Sequence, residues 1–497
     1  MPNASLMHSS AVPLPLASGI SRSFLLRHRI CPLAEDGEGQ LVVAVGENAS
    51  SVAIAEVAEL YGRRAASHPC SREELEQYIE RITTEADRLV ALDLVRDDDP
   101  DDERTTDVRD LANGPPVIRY VNLLLREAID AGASDIHLEA RKGGLDVRFR
   151  MDGVLAPAPE PPRQMEHAVV SRIKTVAELD IAERRRPQDG RIRLRLVDRE
   201  LDLRVSTVPT VHGESVVLRL LDRGVAPGDL DSLGMPAAML DAVRQLVSRP
   251  HGLILVTGPT GSGKTTTLYA ALQQRDASRE KIITVEDPVE YELQGVTQVP
   301  VHRQSGVAFA TALRAILRQD PDVVMIGEMR DRETAEVAIQ AAMTGHLVLS
   351  TLHTNDAVGA LPRLLDLGIA DYLIGGTLEG IVAQRLVRRI CGHCSVRVDL
   401  SDSDAARLVA RPIHAASGWR GLGCSACRES GYRGRIGIFE VLQMTDALRA
   451  ALARGAPRSD LAERAIADGM VPMRECGWQL VQAGITTIEE VLRAVQE

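Results

Sequence analysis

An α/β fold built round a parallel sheet is what this sequence predicts, and three observations carry that expectation. From about residue 250 to 387, apolar runs of strand length (Leu253–Val256, Ile282–Val285, Val323–Ile326 and Leu347–Thr351) alternate with helical patterns, the order that makes a parallel sheet. The first run passes directly into a glycine-rich turn, Gly258-Pro259-Thr260-Gly261-Ser262-Gly263-Lys264-Thr265. Upstream, Leu145–Met151 and Arg191–Leu196 alternate apolar and charged residues one by one, which marks half-exposed, Arg-studded strands of a separate α+β domain.

Size and composition agree with a multi-domain globular chain. The 497 residues suit about three folding units, and 44% hydrophobic residues supply enough apolar mass for several cores. Lys plus Arg number 58 against 70 Asp plus Glu, a formal charge of -12, so nothing draws the whole chain to phosphate backbones or anionic lipid. No run of about 18 apolar residues predicts a membrane span. The stretch from Met1 to Ser21, broken by Pro13 and Pro15 and lacking a basic start, does not read as a signal peptide.

In chain order, residues 1–98 read as a small domain with a strand-like run at Leu41–Val45 and helical patterns near 52–60 and 73–92. The acidic run Asp97-Asp98-Asp99-Pro100-Asp101-Asp102-Glu103 then predicts a flexible linker over 99–116. Residues 117–233 form the α+β domain, opening on a helix that carries Ile118, Val121, Leu124 and Leu125. The parallel-sheet domain takes 234–388, starting with the helical pattern Met239, Leu240, Val243, Leu246 and Val247. Two cysteine pairs occupy 389–436, and short helical patterns fill 437–497.

The turn at 258–265 fits G-x-x-x-x-G-K-[ST] and stands between a buried strand and a helix, as phosphate binding requires. Its glycines let backbone N–H groups turn inward, the helix start adds the positive end of its dipole, and Thr265 offers a hydroxyl to Mg²⁺; Thr266 follows on the same first turn. Only four lysines (Lys142, Lys174, Lys264, Lys281) stand among the 58 basic residues, so Lys264 marks a place where a compact charge is needed and a guanidinium would not fit. Lys142, Lys174 and Lys281 read as solvated surface residues. Glu286 follows one apolar run, Gly327-Glu328 another, and His353 a third. Ligands of open α/β sheets sit off the carboxyl ends of the strands, so these side chains should meet in one crevice with ATP.

The motifs Ser134-Asp135-Ile136-His137-Leu138-Glu139, Arg186-Pro187-Gln188-Asp189-Gly190-Arg191, Arg204-Val205-Ser206-Thr207, Thr284-Val285-Glu286-Asp287-Pro288, Gly327-Glu328-Met329-Arg330-Asp331 and Ser350-Thr351-Leu352-His353-Thr354-Asn355 make the chain resemble the secretion and pilus traffic ATPases. It is most similar to the type II secretion branch, the general secretory pathway protein E family, from about Val117 onward. The resemblance implies a RecA-like ATPase domain preceded by a PAS-like α+β domain, assembled as a homo-hexamer. It also implies that Arg204 and Arg219 are arginine fingers, that Glu286 or Glu328 orients the attacking water, that Glu328 helps hold Mg²⁺, and that His353 senses the γ-phosphate. Residues 1–98 would dock on the inner-membrane platform protein, leaving a cytoplasmic chain attached to the membrane only indirectly.

Cys391-Gly392-His393-Cys394 and Cys424-Ser425-Ala426-Cys427, with 29 residues between the pairs, suit a closed tetrahedral Zn²⁺ site of structural type. Arg388, Arg389, Arg397, Arg428, Arg433 and Arg435 stand near in sequence to balance the thiolates. Cys31, Cys70 and Cys476 read as ordinary thiols. Three other functions compete with a secretion motor: a pilus-extension ATPase, which usually has a longer N-terminal region, a RecA-like nucleic-acid translocase, and a nucleotide-dependent scaffold without turnover, against which the acids for hydrolysis count. The charge of -12 and an aromatic content of 3% count against a nucleic-acid channel.

Overall fold

The computed structural model describes residues 12–13, 25, 28–35, 39–46, 49–72, 74–75, 78–79, 93–94, 115–196, 199–222, 228–302, 306–399 and 417–496. The acidic run and most of the helical pattern expected over 73–92 lie outside them. Two compact units result, Met1–Met151 with Leu155–Gly224, and Asp152–Val154 with Val225–Glu497.

In the first unit, β1 (Ile30–Glu35), β2 (Leu41–Val45) and β3 (Ala65–Pro69) form a small sheet with the outer strand Val12–Pro13. Helix α1 (Ser51–Leu60) is the crossover that lets β3 run parallel to β2. Leu41, Val43, Ala53 and Val57 give this sheet its own core, which also takes in Cys31.

Helix α2 (Pro115–Asp130) opens the second part of the unit, with proline where a helix N-terminus tolerates it. Its residues Val117, Val121, Leu124, Leu125 and Ala128 recur every three or four positions and are buried as one stripe. They face a sheet of seven strands, ordered Asp93–Leu94, β7 (Gln188–Leu196), β8 (Arg199–Thr210), β9 (Gly213–Asp222), β4 (Asp135–Arg141), β5 (Gly144–Met151) and β6 (Val154–Pro157). The alternation read from the sequence is the alternation observed: Leu145, Val147 and Phe149 are buried, and the charged residues between them are not.

One expectation fails in this unit. Lys142 and Lys281 are exposed, but Lys174, on α3 (Glu166–Val176), is 1% exposed. Its ammonium lies 2.8 Å from Glu214 Oε1 and donates to the Glu183 carbonyl at 2.6 Å. A buried lysine is tolerated because both partners are supplied together, and Glu214 is far from it in sequence.

The second unit is built on a sheet ordered β12 (Thr297–Pro300), β11 (Ile282–Glu286), β13 (Val323–Ile326), β14 (Leu347–Leu352), β10 (Gly252–Thr257), β15 (Leu378–Ile390), β18 (Tyr432–Gln443). Every pairing up to β15 is parallel, and β18 returns antiparallel to it. The runs that form β10, β11, β13 and β14 are continuously buried, as strands covered on both faces must be. Helices α4 (Ala237–Val247), α5 (Lys264–Leu272), α6 (Phe309–Ile316) and α7 (Arg332–Met343) contribute buried faces to the same core.

Residues 437–497 contribute to the core of the main sheet. Leu448, Leu461 and Met473 belong to the same cluster as Leu253 and Val324. The cysteine segment is therefore an excursion between two strands of the main sheet, with its own short ladder of β16 (Ser395–Asp399) and β17 (Ser417–Gly421).

Candidate nucleotide site and tetracysteine cluster

β10 ends at Thr257, and the glycine-rich turn follows before α5 begins at Lys264. Gly258 has φ 149°, and a Cβ there would lie 2.4 Å from the Gln384 carbonyl oxygen and 2.6 Å from Ser262 Oγ, so only glycine fits. Gly263 caps α5 in the left-handed region at φ 86° with no side-chain cap, which leaves the helix start available to an anion. Thr260, Gly261 and Thr266 are exposed, while Pro259, Gly263, Lys264 and Thr265 are half-buried. Ser262 is buried, and its Oγ has no hydrogen-bond partner. An orphaned hydroxyl, an uncapped helix start and a lysine are the donor set a phosphate needs.

The Lys264 ammonium donates to the carbonyls of Gly258 and Pro259, both at 2.9 Å. Burial pulls its pKa down to about 8; Glu328 opposes the drop and Arg385 adds to it. Three hydroxyls tie the neighbouring strand ends together: Thr351 Oγ1 donates to Gly327 O (2.7 Å), Ser350 Oγ to Ile326 O (2.9 Å), and Thr257 Oγ1 accepts from Thr354 N (2.9 Å). They bring Glu328 beside the loop. Its Oε2 lies 2.6 Å from Arg330 Nε and 3.7 Å from His353 Nε2. Burial and the charge of Lys264 lower the His353 pKa against the pull of Glu328, which favours the neutral ring.

Glu286 ends β11 but turns elsewhere. It is 2% exposed and accepts from Thr284 Oγ1 (2.6 Å), Gln298 Nε2 (3.1 Å) and the Tyr269 hydroxyl. Burial and Glu286 together raise the Tyr269 pKa, which keeps that hydroxyl a donor. The sequence placed both acids in one crevice; the structure brings Glu328 and His353 together with Lys264 and engages Glu286 with Tyr269 of α5.

Arg204 and Arg219 lie in the other unit, directly paired across β8 and β9, and Arg191 on β7 is the next partner of Arg204. They line a cavity of about 520 Å³ with Asp189 and Ser206. Arg219 Nε donates to Asp135 Oδ1 at 2.9 Å. Like charges directly opposite on a sheet repel, so an arginine row of this kind is suited to an anion.

All four cysteines predicted as ligands meet. Their sulfurs lie within 4.8 Å of one another, with Cys391–Cys424 at 3.9 Å, Cys394–Cys427 at 3.8 Å and Cys424–Cys427 at 3.7 Å. Four thiolates around Zn²⁺ stand about 3.8 Å apart in a tetrahedron, so the spacing fits that ion. The N–H groups of Cys424 (3.2 Å) and Gly431 (3.3 Å) donate to the Cys427 sulfur. A Cβ on Gly421 would come within 2.0 Å of the Gly431 carbonyl oxygen, so glycine is needed where the two backbones touch. Arg388, counted from the sequence among the balancing charges, is engaged with Glu490 at 2.7 Å and stacks over Tyr432. Sequence reasoning missed Tyr269, buried on α5 against Glu286, and Gln384, buried against the loop, since neither belongs to a motif read from the residues.

Sheet order, turn and donor set define a phosphate-loop nucleotide-binding protein. A family described as type II/IV secretion system protein matches residues 110–493, and a MshEN domain matches 1–89. The type II secretion system protein HxcR of Pseudomonas aeruginosa is 50% identical over 83% of this chain and 84% of its own. Type II secretion system protein E of Xanthomonas campestris pv. campestris is 47% identical over 97% and 86%. The crystal structure of the pilus retraction motor PilT with bound ADP is 29% identical, with a TM-score of 0.52 over 76% of this chain and 97% of that one. The Legionella pneumophila ATPase DotB, 19% identical with a TM-score of 0.57 over 80% and 98%, shares the fold. The chain belongs to the type II secretion ATPase family.

Proposed function

We propose that this chain is the ATPase motor of a type II secretion system, hydrolysing ATP to drive pseudopilus assembly and the export of folded proteins from the periplasm. The observation that carries the reading is the meeting of Lys264, Glu328 and His353 at the carboxyl ends of the strands, in a chain 47% identical to a type II secretion protein over 97% of its length. Lys264 meets the β- and γ-phosphates as a point charge, and the first N–H groups of α5 support them. The Thr265 hydroxyl and Glu328 would hold a Mg²⁺ ion, which would supply positive charge to neutralise the phosphates.

Of the two acids, Glu328 is the one that orients the attacking water. Its side chain keeps 15% exposure beside Lys264 and His353, whereas three protein donors occupy the carboxylate of Glu286. Glu286 acts through Tyr269, fixing α5. His353, neutral, hydrogen-bonds according to the state of Glu328 and the γ-phosphate. Arg204 and Arg219 serve as arginine fingers within a homo-hexamer, where such a group is worth ~10³–10⁵ in rate. The four cysteines hold a structural Zn²⁺. The MshEN match over 1–89 supports docking of this region on the inner-membrane platform protein, from the cytoplasm and without nucleic acid. The pilus-extension reading is less supported, because the relatives at 47–50% identity over most of the chain are named type II secretion system proteins.

Glu328→Gln tests the reading. It should bind ATP within about threefold of the wild type, hydrolyse it about 10²–10³-fold more slowly, and abolish secretion in cells. Unimpaired hydrolysis would refute the role given to Glu328, and unimpaired secretion without hydrolysis would refute the motor.

A further inference from the structure

β15 accompanies β10 as a parallel neighbour up to the pair Thr257–Ala383, and then outlasts it. At that point β10 gives way to the phosphate loop, while β15 continues to Ile390 with β18 on its other side. The next residue of β15 is Gln384, 2% exposed. Both ends of its amide are engaged. Nε2 donates to the Ser262 carbonyl at 2.6 Å, and Oε1 accepts from the Thr267 hydroxyl, one turn into α5, at 2.7 Å. The backbone approach is equally close: a Cβ on Gly258 would meet the Gln384 carbonyl oxygen at 2.4 Å, and one on Gly263 would meet Nε2 at 3.1 Å. The first glycine, the serine and the last glycine of the loop are thus all shaped against one residue.

A trans peptide is planar, so its C=O and N–H point in opposite directions. Holding the Ser262 carbonyl toward Gln384 therefore aims the Gly263 N–H the other way, away from β15. The amide does this while also receiving the Thr267 hydroxyl, which fixes which end of the amide is the donor. We propose that Gln384 is a positioning residue for the nucleotide: without touching it, Gln384 sets the peptide orientation with which the loop meets the phosphates. The inference rests on 258–265 being the ATP site.

The test is ADP titration and ATP turnover on the full chain. Gln384→Met fills nearly the same volume and deletes both hydrogen bonds. The Kd for ADP and the KM for ATP should rise about tenfold or more and kcat should stay within about threefold, while the unfolding temperature falls only by the several degrees that two unpaired buried groups cost. Gln384→Glu keeps an acceptor for Thr267 but sets a carboxylate oxygen against the Ser262 carbonyl, and should do at least as much damage. Thr267→Val removes the orienting bond alone and should act in the same direction with smaller size. Wild-type Kd and KM in Gln384→Met, with a lowered unfolding temperature, would overturn the proposal and leave Gln384 a packing residue. Should that variant fail to fold, unchanged Kd and KM in Thr267→Val would overturn it instead. Lys264→Ala serves as the control: if it keeps its ADP affinity, the site reading has failed and not the role of Gln384.

Discussion

Around Lys264 and around Cys427 the chain solves related problems, since both turns bring backbones close enough that only glycine fits and both are shaped to meet a charge. The cysteine cluster is closed. Four sulfurs supply every position of a tetrahedral ion, and two N–H groups donate to the Cys427 sulfur. The phosphate loop is open, with Ser262 Oγ unpartnered, the start of α5 uncapped, and a lysine resting on carbonyls of its own loop. A closed site returns its binding energy to folding, whereas an open one keeps it for a ligand. The two regions should therefore separate cleanly under mutation, one losing activity and the other stability.

The largest effect is expected at the open site. Lys264→Ala should lower ATP turnover by at least about 10³-fold, and Lys264→Arg should fail nearly as far because the guanidinium is broader than the space between phosphates. Unfolding temperatures of both variants without nucleotide should stay within a few degrees of the wild type, since a cation is being removed from a half-buried place. Near-normal turnover in Lys264→Arg would break the argument that this position needs a point charge.

The closed site should respond the other way. Metal analysis should find close to one Zn²⁺ per chain, and Cys424→Ser should release it and lower the unfolding temperature by roughly 5–15 °C, with nucleotide affinity little changed. A metal-free wild-type chain of full stability would remove the closed site from the comparison altogether.

How much of this was legible depended on whether a residue's role is local. The phosphate loop could be read from its letters because each glycine answers to a turn made by its immediate neighbours, and β10, β11, β13 and β14 because burial on both faces leaves an unbroken apolar run. The four cysteines were legible from two short spacings. Lys174 was misread because its burial depends on Glu214, which arrives only when β9 packs beside α3. β18 went unrecognised as a member of the main sheet because its partner β15 ends before the whole cysteine excursion. Gln384 gave no signal at all: a lone glutamine beside an arginine has no pattern, and its meaning comes from a loop more than a hundred residues away. Arg204 and Arg219 stood out only through resemblance, for an alternating strand offers arginines of the same appearance at Arg193 and Arg195.

The smallest predicted effect is also the one whose sign differs between the two regions. Lys264 in the nucleotide-free protein has its pKa lowered to about 8, chiefly by burial, whereas the unfolded chain keeps the ordinary lysine value of about 10.4. Between those values the folded protein binds fewer protons than the unfolded one, so this group makes stability rise with pH across that window. Phosphate favours the ammonium, so binding ADP raises the Lys264 pKa and takes up a proton when the pH is above about 8. Affinity should be flat below pH 7 and weaken by up to about tenfold per unit above 8, while Lys264→Arg, always charged, should bind weakly at every pH with no such slope. The cysteine cluster should do the reverse, because thiolates must lose protons to hold zinc and acidification releases the metal. Calorimetric titration of ADP at pH 7 and 9, in buffers of different ionisation enthalpy, measures the proton uptake directly. A pH-independent affinity without uptake would mean that Lys264 is not the cation that meets the phosphates, and the open half of the comparison would then need another donor.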